Sequence, residues 1–313
     1  MNLERKRVCV TGGAGFLGSH IVDKLYEHGC LSVAVPESKD YDLRRHNDVT
    51  RMYRTLQPDV VIHAAAHCGG IQSCSASPAS YLYDNLAINS EVLEGAKTHG
   101  VVKFVAISSV CAYPLNVSLP AREEDLWSGY PEETNAPYGI AKRVLLEQCK
   151  AYRKQYDMNC IGLVPANMYG PRDSFDTARS HVIPSLIRKC LEAKRDGTDL
   201  TVWGAGSASR EFLYVEDCAE AIVLATESYH GAEPVNIATG DEVTVGRIVS
   251  LLTSLIGYQG LVKWDTSKPE GQPRRLFDTT KAEQFGFKYK TPLWQGLQRT
   301  IDWYMENECS SQK

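Results

Sequence analysis

Three residues in the first half of the chain have the types and spacing of a proton-transfer site. Tyr138 and Lys142 stand at positions i and i+4 of a helical pattern, so the phenol and the ammonium lie on one helix face. The charge of Lys142 is expected to lower the pKa of the phenol, which can then exchange a proton with an oxygen whose carbon receives a hydride. Ser109 ends an apolar run and can donate a hydrogen bond to the same oxygen. Together they predict a Ser/Tyr/Lys reduction site.

Alternating apolar and amphipathic segments must position these side chains. The apolar runs Val8–Thr11, Leu31–Val35, Asp59–Ala65, Lys103–Ser109 and Asn159–Val164 are typical of buried parallel strands. Helical patterns lie between them near residues 16–29, 44–56, 80–99 and 136–155. The repeat predicts an α/β fold with a Rossmann-type, doubly wound parallel sheet, in which the carboxyl ends of the strands meet at one edge.

The second half of the chain loses this regular alternation. Helical patterns near 181–195, 216–228, 244–256 and 293–306 are separated by the short strands Thr201–Trp203, Val235–Ile237 and Val262–Trp264. We therefore expect a dinucleotide-binding domain over residues 1–166, with a return segment near 215–240. Most of residues 167–313 should form a smaller, interleaved α/β domain that binds the substrate.

A glycine-rich turn follows the first strand. Gly12, Gly15 and Gly18, in the segment GGAGFLG, allow a tight turn, close approach of the backbone to a pyrophosphate, and close packing of helix on strand. The spacing GxxGxxG is typical of short-chain dehydrogenases/reductases. The predicted dinucleotide contacts are Gly12, Gly15, Phe16, Leu17, Gly18, Ala64, Ala65, Tyr138, Lys142, Pro165 and Asn167.

The segment after the second strand should select the dinucleotide. An acidic residue there binds the ribose 2′-hydroxyl of NAD(H), whereas a cation accepts the 2′-phosphate of NADP(H). The segment contains both kinds of group. Ser38 and Lys39 are candidates for a 2′-phosphate, and Asp42 with Leu43 could line the adenine pocket. We expect NADP(H), and NAD(H) remains the alternative.

Further segments extend a likeness to one family over nearly the whole chain. They are HCGGI at 67–71, SVCAYP at 109–114, ETNAPY at 133–138, NMYGPRD at 167–173, SHVIP at 180–184, VWGAG at 202–206, REFL at 210–213 and SKPEG at 267–271. In these segments the chain resembles the GDP-L-fucose synthases, a group of extended short-chain dehydrogenases/reductases.

This resemblance implies two chemical steps on GDP-4-keto-6-deoxy-D-mannose. Carbons 3 and 5 are epimerised, and NADPH-dependent reduction at carbon 4 then gives GDP-L-fucose or a close GDP-deoxysugar. Because the 4-keto group acidifies both neighbouring carbons, a base and an acid on opposite sides of the ring can invert each centre. The resemblance assigns the base to Cys111 and the acid to His181. The alternatives are an epimerase that retains NAD without net reduction, and a cofactor-binding regulatory protein with a relic site.

Recognition of the GDP-sugar is expected mainly from the second half. The amide of Asn167 could bind a sugar hydroxyl near the nicotinamide, and Trp203 is a candidate wall for the guanine or the sugar. Lys189, Arg210 and Lys268 are candidate cations for the diphosphate. The family has an arginine where Lys189 stands, so a point charge replaces a bidentate donor.

Composition argues against several other classes of protein. With Lys+Arg 34 and Asp+Glu 38, the net charge is −4, which disfavours a nucleic-acid-binding surface. No stretch approaches the roughly 18 apolar residues of a membrane span. The 10 cysteines are dispersed without a CxxC pair, so we expect reduced thiols, no metal and a cytoplasmic protein. The resemblance further implies a homodimer through a four-helix bundle of the helices near 80–99 and 136–155.

Overall fold

The computed structural model describes residues 1–176, 180–267 and 272–307. The strands are β1 Arg7–Thr11, β2 Ser32–Ala34, β3 Val60–His63, β4 Lys103–Ile107, β5 Cys160–Pro165, β6 Asn167–Tyr169, β7 Leu200–Trp203, β8 Ser209–Arg210, β9 Phe212–Tyr214, β10 Val235–Ile237, β11 Val243–Thr244 and β12 Val262–Asp265. The α-helices are α1 Phe16–Glu27, α2 His46–Leu56, α3 Ile71–Ala76, α4 Pro78–Thr98, α5 Ala136–Tyr156, α6 Val182–Asp196, α7 Val215–Ser228, α8 Val245–Ile256, α9 Thr280–Gln284 and α10 Leu293–Asn307. Two short 3₁₀ helices, Val110–Ala112 and Glu123–Trp127, lie between β4 and α5.

The main sheet brings the carboxyl ends of its strands to one edge. Within the described ranges it contains six parallel strands in the order β10-β5-β4-β3-β1-β2. In β1, Val8 lies opposite Val33 of β2 on one side and Val60 of β3 on the other. The order of strands therefore reverses at β1, and such a reversal opens a crevice at the carboxyl end of the strand, where ligands bind in these sheets.

Helices cover both faces of the main sheet, which explains why its strands are apolar throughout. α1 packs against α7 on one face, and α4 packs against α2 and α5 on the other. In β1, Val8 and Val10 share a core with Ile21 of α1, whereas Cys9 shares the opposite core with Val49 of α2. The alternation of side chains along each strand thus fills two cores at once.

The second half of the chain forms a smaller unit around an apolar core of its own. There β6 pairs with β9, β7 with β12 and β8 with β11. The helices α6, α8 and α10 close this core with side chains such as Ile187, Leu252 and Leu297. Between these elements, α7 and β10 return to the main sheet, where Val235 of β10 lies opposite Leu163 of β5. The two units are therefore interleaved along the chain.

The predicted α/β class and parallel sheet are confirmed. The long helices and the buried strands occur where the apolar pattern placed them, with ends that differ by a few residues. Shorter elements, such as α3 and the two-residue strands β8 and β11, were not predicted, because so few residues show no periodicity. No helix in residues 1–176, 180–267 and 272–307 is long and apolar enough to cross a membrane.

A buried lysine connects β4 to the end of α7. The Lys103 side chain is fully buried, and its Nζ donates to the carbonyl oxygens of Ala225 at 3.1 Å, Thr226 at 2.5 Å and Tyr229 at 2.6 Å. The last carbonyls of a helix lack partners within the helix, and its negative dipole end favours a cation. Lys103 satisfies both conditions, although burial lowers the pKa of its ammonium to about 8.

We predict that Lys103→Met destabilises the fold, because buried carbonyl acceptors lose their donor. The free energy of unfolding should fall by about 3 kcal/mol. Lys263→Met is the matched control: Lys263 is 64% exposed and pairs with Asp199 on the surface, so its loss should leave the free energy of unfolding nearly unchanged. Urea unfolding followed by circular dichroism measures both variants, and equal losses would contradict this role for Lys103.

Candidate active site

A cavity of about 1300 Å³ lies between the carboxyl edge of the main sheet and the second unit. Most of the residues singled out from the sequence line it. They are Gly12, Gly15, Phe16, Leu17, Gly18, Ser38, Asp42, Leu43, Ala64, Ala65, Ser109, Cys111, Tyr138, Lys142, Pro165, Asn167, His181, Lys189, Trp203 and Arg210. Its volume exceeds the roughly 300–1,000 Å³ of most small-molecule sites. The space suits two ligands bound side by side.

The glycine-rich turn at one end of the cavity permits contacts that a side chain would prevent. Gly12 has a φ of 74°, and a Cβ there would lie 2.7 Å from the backbone nitrogen of Ala65. A Cβ on Gly18 would lie 2.0 Å from the Gly12 carbonyl oxygen. The turn, β3 and α1 consequently meet backbone to backbone.

The first turn of α1 is open to an anion. Gly15 occupies the N-cap position without a side-chain cap, and the first turn contains no acidic residue. Among the described residues no side chain caps its leading N–H groups, which lie at the positive end of the helix dipole. A dinucleotide pyrophosphate fits this position in charge and in hydrogen-bonding capacity.

The part of the cavity that is predicted to hold the adenosine of the dinucleotide has both acidic and basic groups nearby. Ser38, Asp42 and Leu43 line the cavity, but Lys39 is not part of its lining in the described structure. The Lys39 side chain is 71% exposed and its Nζ lies 2.8 Å from Glu37. Asp42 is engaged by Arg44, whose hydrogen bond holds the pKa of the Asp42 carboxyl at about 2. The arrangement thus leaves Ser38, rather than Lys39, at the cavity wall.

Tyr138 and Lys142 lie on α5 where it passes the end of β4. The Lys142 Nζ donates to the carbonyl oxygen of Ile107 at 2.9 Å and lies 5.7 Å from the centre of the Tyr138 ring. Burial lowers the pKa of the Lys142 ammonium to about 8. Burial also raises the pKa of the Tyr138 phenol well above its ordinary value, against the opposing hydrogen bond with Ser109.

The pKa of this phenol is therefore raised, and the expectation that it is lowered is wrong. Removal of the ring from water is the largest cause, and the neighbouring Cys68 and Cys111 act in the same direction. The phenol consequently holds its proton at neutral pH. A protonated Tyr138 is the form that can donate a proton to a ketone oxygen.

Cys111 lies in the short 3₁₀ helix that follows Ser109. Its backbone N–H donates to Ser109 Oγ at 3.2 Å, and its side chain is half-buried on the cavity wall. A Cβ on Gly139 would lie 2.2 Å from the Cys111 carbonyl oxygen, so α5 packs directly on this turn. The close packing fixes the Cys111 backbone relative to the neighbouring Tyr138.

His181 reaches the cavity from the other unit. It is the N-cap residue of α6, and its side chain is 52% exposed. Contact with the Asp173 carboxylate raises the pKa of the imidazole, against the effect of burial in the cavity. The protonated ring is the form that a general acid requires.

The candidate GDP contacts line the same wall of the second unit. Lys189 Nζ lies 5.2 Å from the centre of the Trp203 ring, and burial lowers the pKa of its ammonium. Arg210 Nη1 donates to the Ser209 carbonyl oxygen at 2.7 Å. Lys268 lies outside the described residues.

Sequence reasoning missed several cavity residues. Arg188 and Arg275 add cations to the wall of the second unit, and Cys68 and Cys74 add thiols near the sheet edge. Arg275 follows the segment 267–271 closely, and Cys68 lies within HCGGI. Their position in or near these motifs is the signal that could have identified both residues. Among the described residues no cluster of three His, Cys, Asp or Glu side chains could hold a metal ion.

Comparison with known proteins places the chain in a family. Residues 8–238 match the NAD dependent epimerase/dehydratase family. The chain belongs to this family. The glycine turn, Ser109, Tyr138 and Lys142 lie within the matched range.

The relatives also agree with the resemblance stated from the sequence. Probable GDP-L-fucose synthase 1 of Oryza sativa subsp. japonica is 40% identical over 98% of this chain and 94% of its own length. GDP-L-fucose synthase of Escherichia coli (strain K12) is 34% identical over 98% of each chain. A solved GDP-L-fucose synthetase from Naegleria fowleri, bound to NADP, superimposes with a TM-score of 0.89 at 29% identity, covering 99% of this chain and 97% of that one. The resemblance to GDP-L-fucose synthases is confirmed.

Proposed function

We propose that the protein epimerises carbons 3 and 5 of GDP-4-keto-6-deoxy-D-mannose and then reduces carbon 4 with NADPH, giving GDP-L-fucose or a close GDP-deoxysugar. One observation carries the proposal. Ser109, Cys111 and Tyr138 from the sheet side and His181 from the second unit line one cavity. A cavity lined by a phenol, a thiol and an imidazole supplies the groups for both steps.

In the epimerisation, the ketone makes the hydrogens on carbons 3 and 5 acidic. The Cys111 thiolate takes a proton from one face of the ring, and the electron pair moves onto the 4-keto oxygen as an enolate. Ser109 and Tyr138 can donate hydrogen bonds to that oxygen and stabilise its charge. The His181 imidazolium returns a proton to the opposite face, which inverts the centre. Cys111 then releases its proton to solvent and His181 regains one before the second carbon reacts.

In the reduction, NADPH supplies a hydride to carbon 4. Tyr138 gives its phenolic proton to the oxygen, and Ser109 orients that oxygen by a hydrogen bond. The Lys142 ammonium, held by the Ile107 carbonyl, then lies beside the phenolate and stabilises its charge until a proton returns. The raised pKa of Tyr138 ensures that the donor enters the step protonated.

The nucleotide of the sugar would lie along the wall of the second unit. Lys189, Arg210 and Arg275 supply positive charge for a diphosphate, and the Trp203 ring offers an apolar surface. Preference for NADP(H) is supported by the solved relative bound to NADP. Ser38 is the candidate donor to its 2′-phosphate, since Lys39 faces solvent.

We predict that the purified protein consumes one NADPH per GDP-4-keto-6-deoxy-D-mannose. The test is an assay of cofactor oxidation with a panel of GDP-ketosugars, run in parallel with NADPH and NADH. Consumption of substrate without stoichiometric loss of NADPH would instead identify an epimerase that retains its dinucleotide. Tight binding of the GDP-sugar without any turnover would identify a binding protein.

The two steps should separate by mutation. Cys111→Ser should reduce solvent deuterium incorporation at carbons 3 and 5 by about 100-fold or more, because the hydroxyl is a far weaker base than the thiolate. It should leave measurable reduction of a pre-epimerised ketone. Tyr138→Phe should abolish that reduction, because the proton donor is gone. Equal loss of both steps in both variants would contradict this assignment.

We also propose a homodimer assembled through α4 and α5, and a cytoplasmic location. The two helices pack side by side on an outer face of the main sheet, and Tyr83 on α4 is 69% exposed. Light scattering should give twice the chain mass of 34.7 kDa, and Tyr83→Glu should shift the protein toward monomer. A monomeric wild type would contradict the proposal.

The proposed cytoplasmic location rests on the cysteines. Those that the structure describes are free thiols, which supports a reducing compartment, and cell fractionation tests this location.

A further inference from the structure

The chain makes a tight turn directly after β6, and α1 holds this turn in place. A backbone hydrogen bond closes the turn at Asp173, and Arg172 has a φ of 67°, a left-handed conformation that strains a residue with a side chain. Two contacts to α1 stabilise it. Arg172 Nη1 lies 2.7 Å from Asp23 Oδ2, and His20 Nε2 lies 3.0 Å from the carbonyl oxygen of Pro171.

The turn directs the Asp173 carboxylate into the protein. Its side chain is 2% exposed, and Oδ1 accepts a hydrogen bond from the Ser174 N–H at 2.7 Å. Oδ2 is buried and has no hydrogen-bond partner in the part of the chain that the structure describes. A buried carboxylate without a compensating cation is strongly unfavourable. The group placed to compensate it is His181, whose Nδ1 lies 3.5 Å from Oδ1.

We infer that Asp173 is a positioning residue for His181, which it orients through Nδ1 and keeps protonated for the epimerisation. The inference rests on the proposed function. Because Nδ1 faces Asp173, Nε2 is the nitrogen left for the sugar. The Nε2–H bond breaks as the electron pair of the enolate forms the new C–H bond. The neutral imidazole then takes a proton from solvent, which restores the acid.

The charges around His181 support this role. The titratable groups that line the cavity away from the adenosine end carry both signs of charge. They are His67, Cys68, Cys74, Tyr81, Asp84, Cys111, Glu132, Tyr138, Lys142, Arg188, Lys189, Arg210 and Arg275. Burial disfavours a positive charge on the imidazole, and the Asp173 carboxylate opposes that effect. Contact with Asp173 indeed raises the pKa of His181. The acid form therefore persists to higher pH than for a free histidine and is lost as pH rises through the raised pKa.

The test is the pH profile of proton exchange in Asp173→Asn. Exchange at carbons 3 and 5 of GDP-4-keto-6-deoxy-D-mannose is followed by NMR in deuterated buffer, with NADP⁺ in place of NADPH so that no reduction occurs. We expect the high-pH fall in exchange to move down by about one pH unit or more. At pH 7.5 the rate should drop roughly 10- to 100-fold. Asp173→Glu should restore part of the exchange and shift the profile back toward that of the wild type.

Controls separate the possible failures. Asp302→Asn removes a carboxylate on α10 that accepts from Gln298, and it should leave the profile unchanged. Reduction of a pre-epimerised ketone should survive in Asp173→Asn, which shows that the cavity is intact. A profile that does not move, or an equal loss of reduction, would overturn the positioning role. Absence of exchange in the wild type would instead overturn the proposed function.

Discussion

The close approach of α5 to the end of β4 is the constraint on which the site depends. No side chain fits between Gly139 of α5 and the 3₁₀ helix that follows β4, and Lys142 reaches the carbonyl oxygen of Ile107 at the end of β4. These contacts fix the phenol and the ammonium on one element relative to Ser109 and Cys111 on the other. Burial that results from the same packing keeps Tyr138 protonated. Placement and protonation state thus have one physical origin.

The features that follow from periodicity and topology could be predicted from the sequence. Apolar runs indicate strands covered on both faces, and parallel strands must present their carboxyl ends together, which places Ser109 beside the glycine turn. The direction in which a single loop side chain points produces no comparable pattern in the sequence. Lys39 turns toward Glu37 and solvent, and the contact of Asp173 with His181 depends on a left-handed residue between β6 and α6. The balance of burial against charge at Tyr138 also requires coordinates.

The interleaving of the two units has energetic consequences. β10 is a strand of the main sheet and α7 packs beside α1 on one face of that sheet. The chain on either side of these two elements nevertheless builds the second core. Lys103 of β4 donates hydrogen bonds to the last carbonyl oxygens of α7. We therefore expect the sheet and this helix to unfold together. His181 is carried on the second unit and Cys111 on the first. The position of His181 relative to Cys111 consequently depends on how the two units pack around the cavity that both residues line.

One contact between the units lies on the surface. Arg172 meets Asp23 of α1, the helix whose first turn faces the anion site, and the next residue in the chain is the carboxylate that contacts His181. A pair of charges on the surface thus connects the helix proposed to hold the cofactor with the turn that carries the carboxylate beside the proposed proton donor.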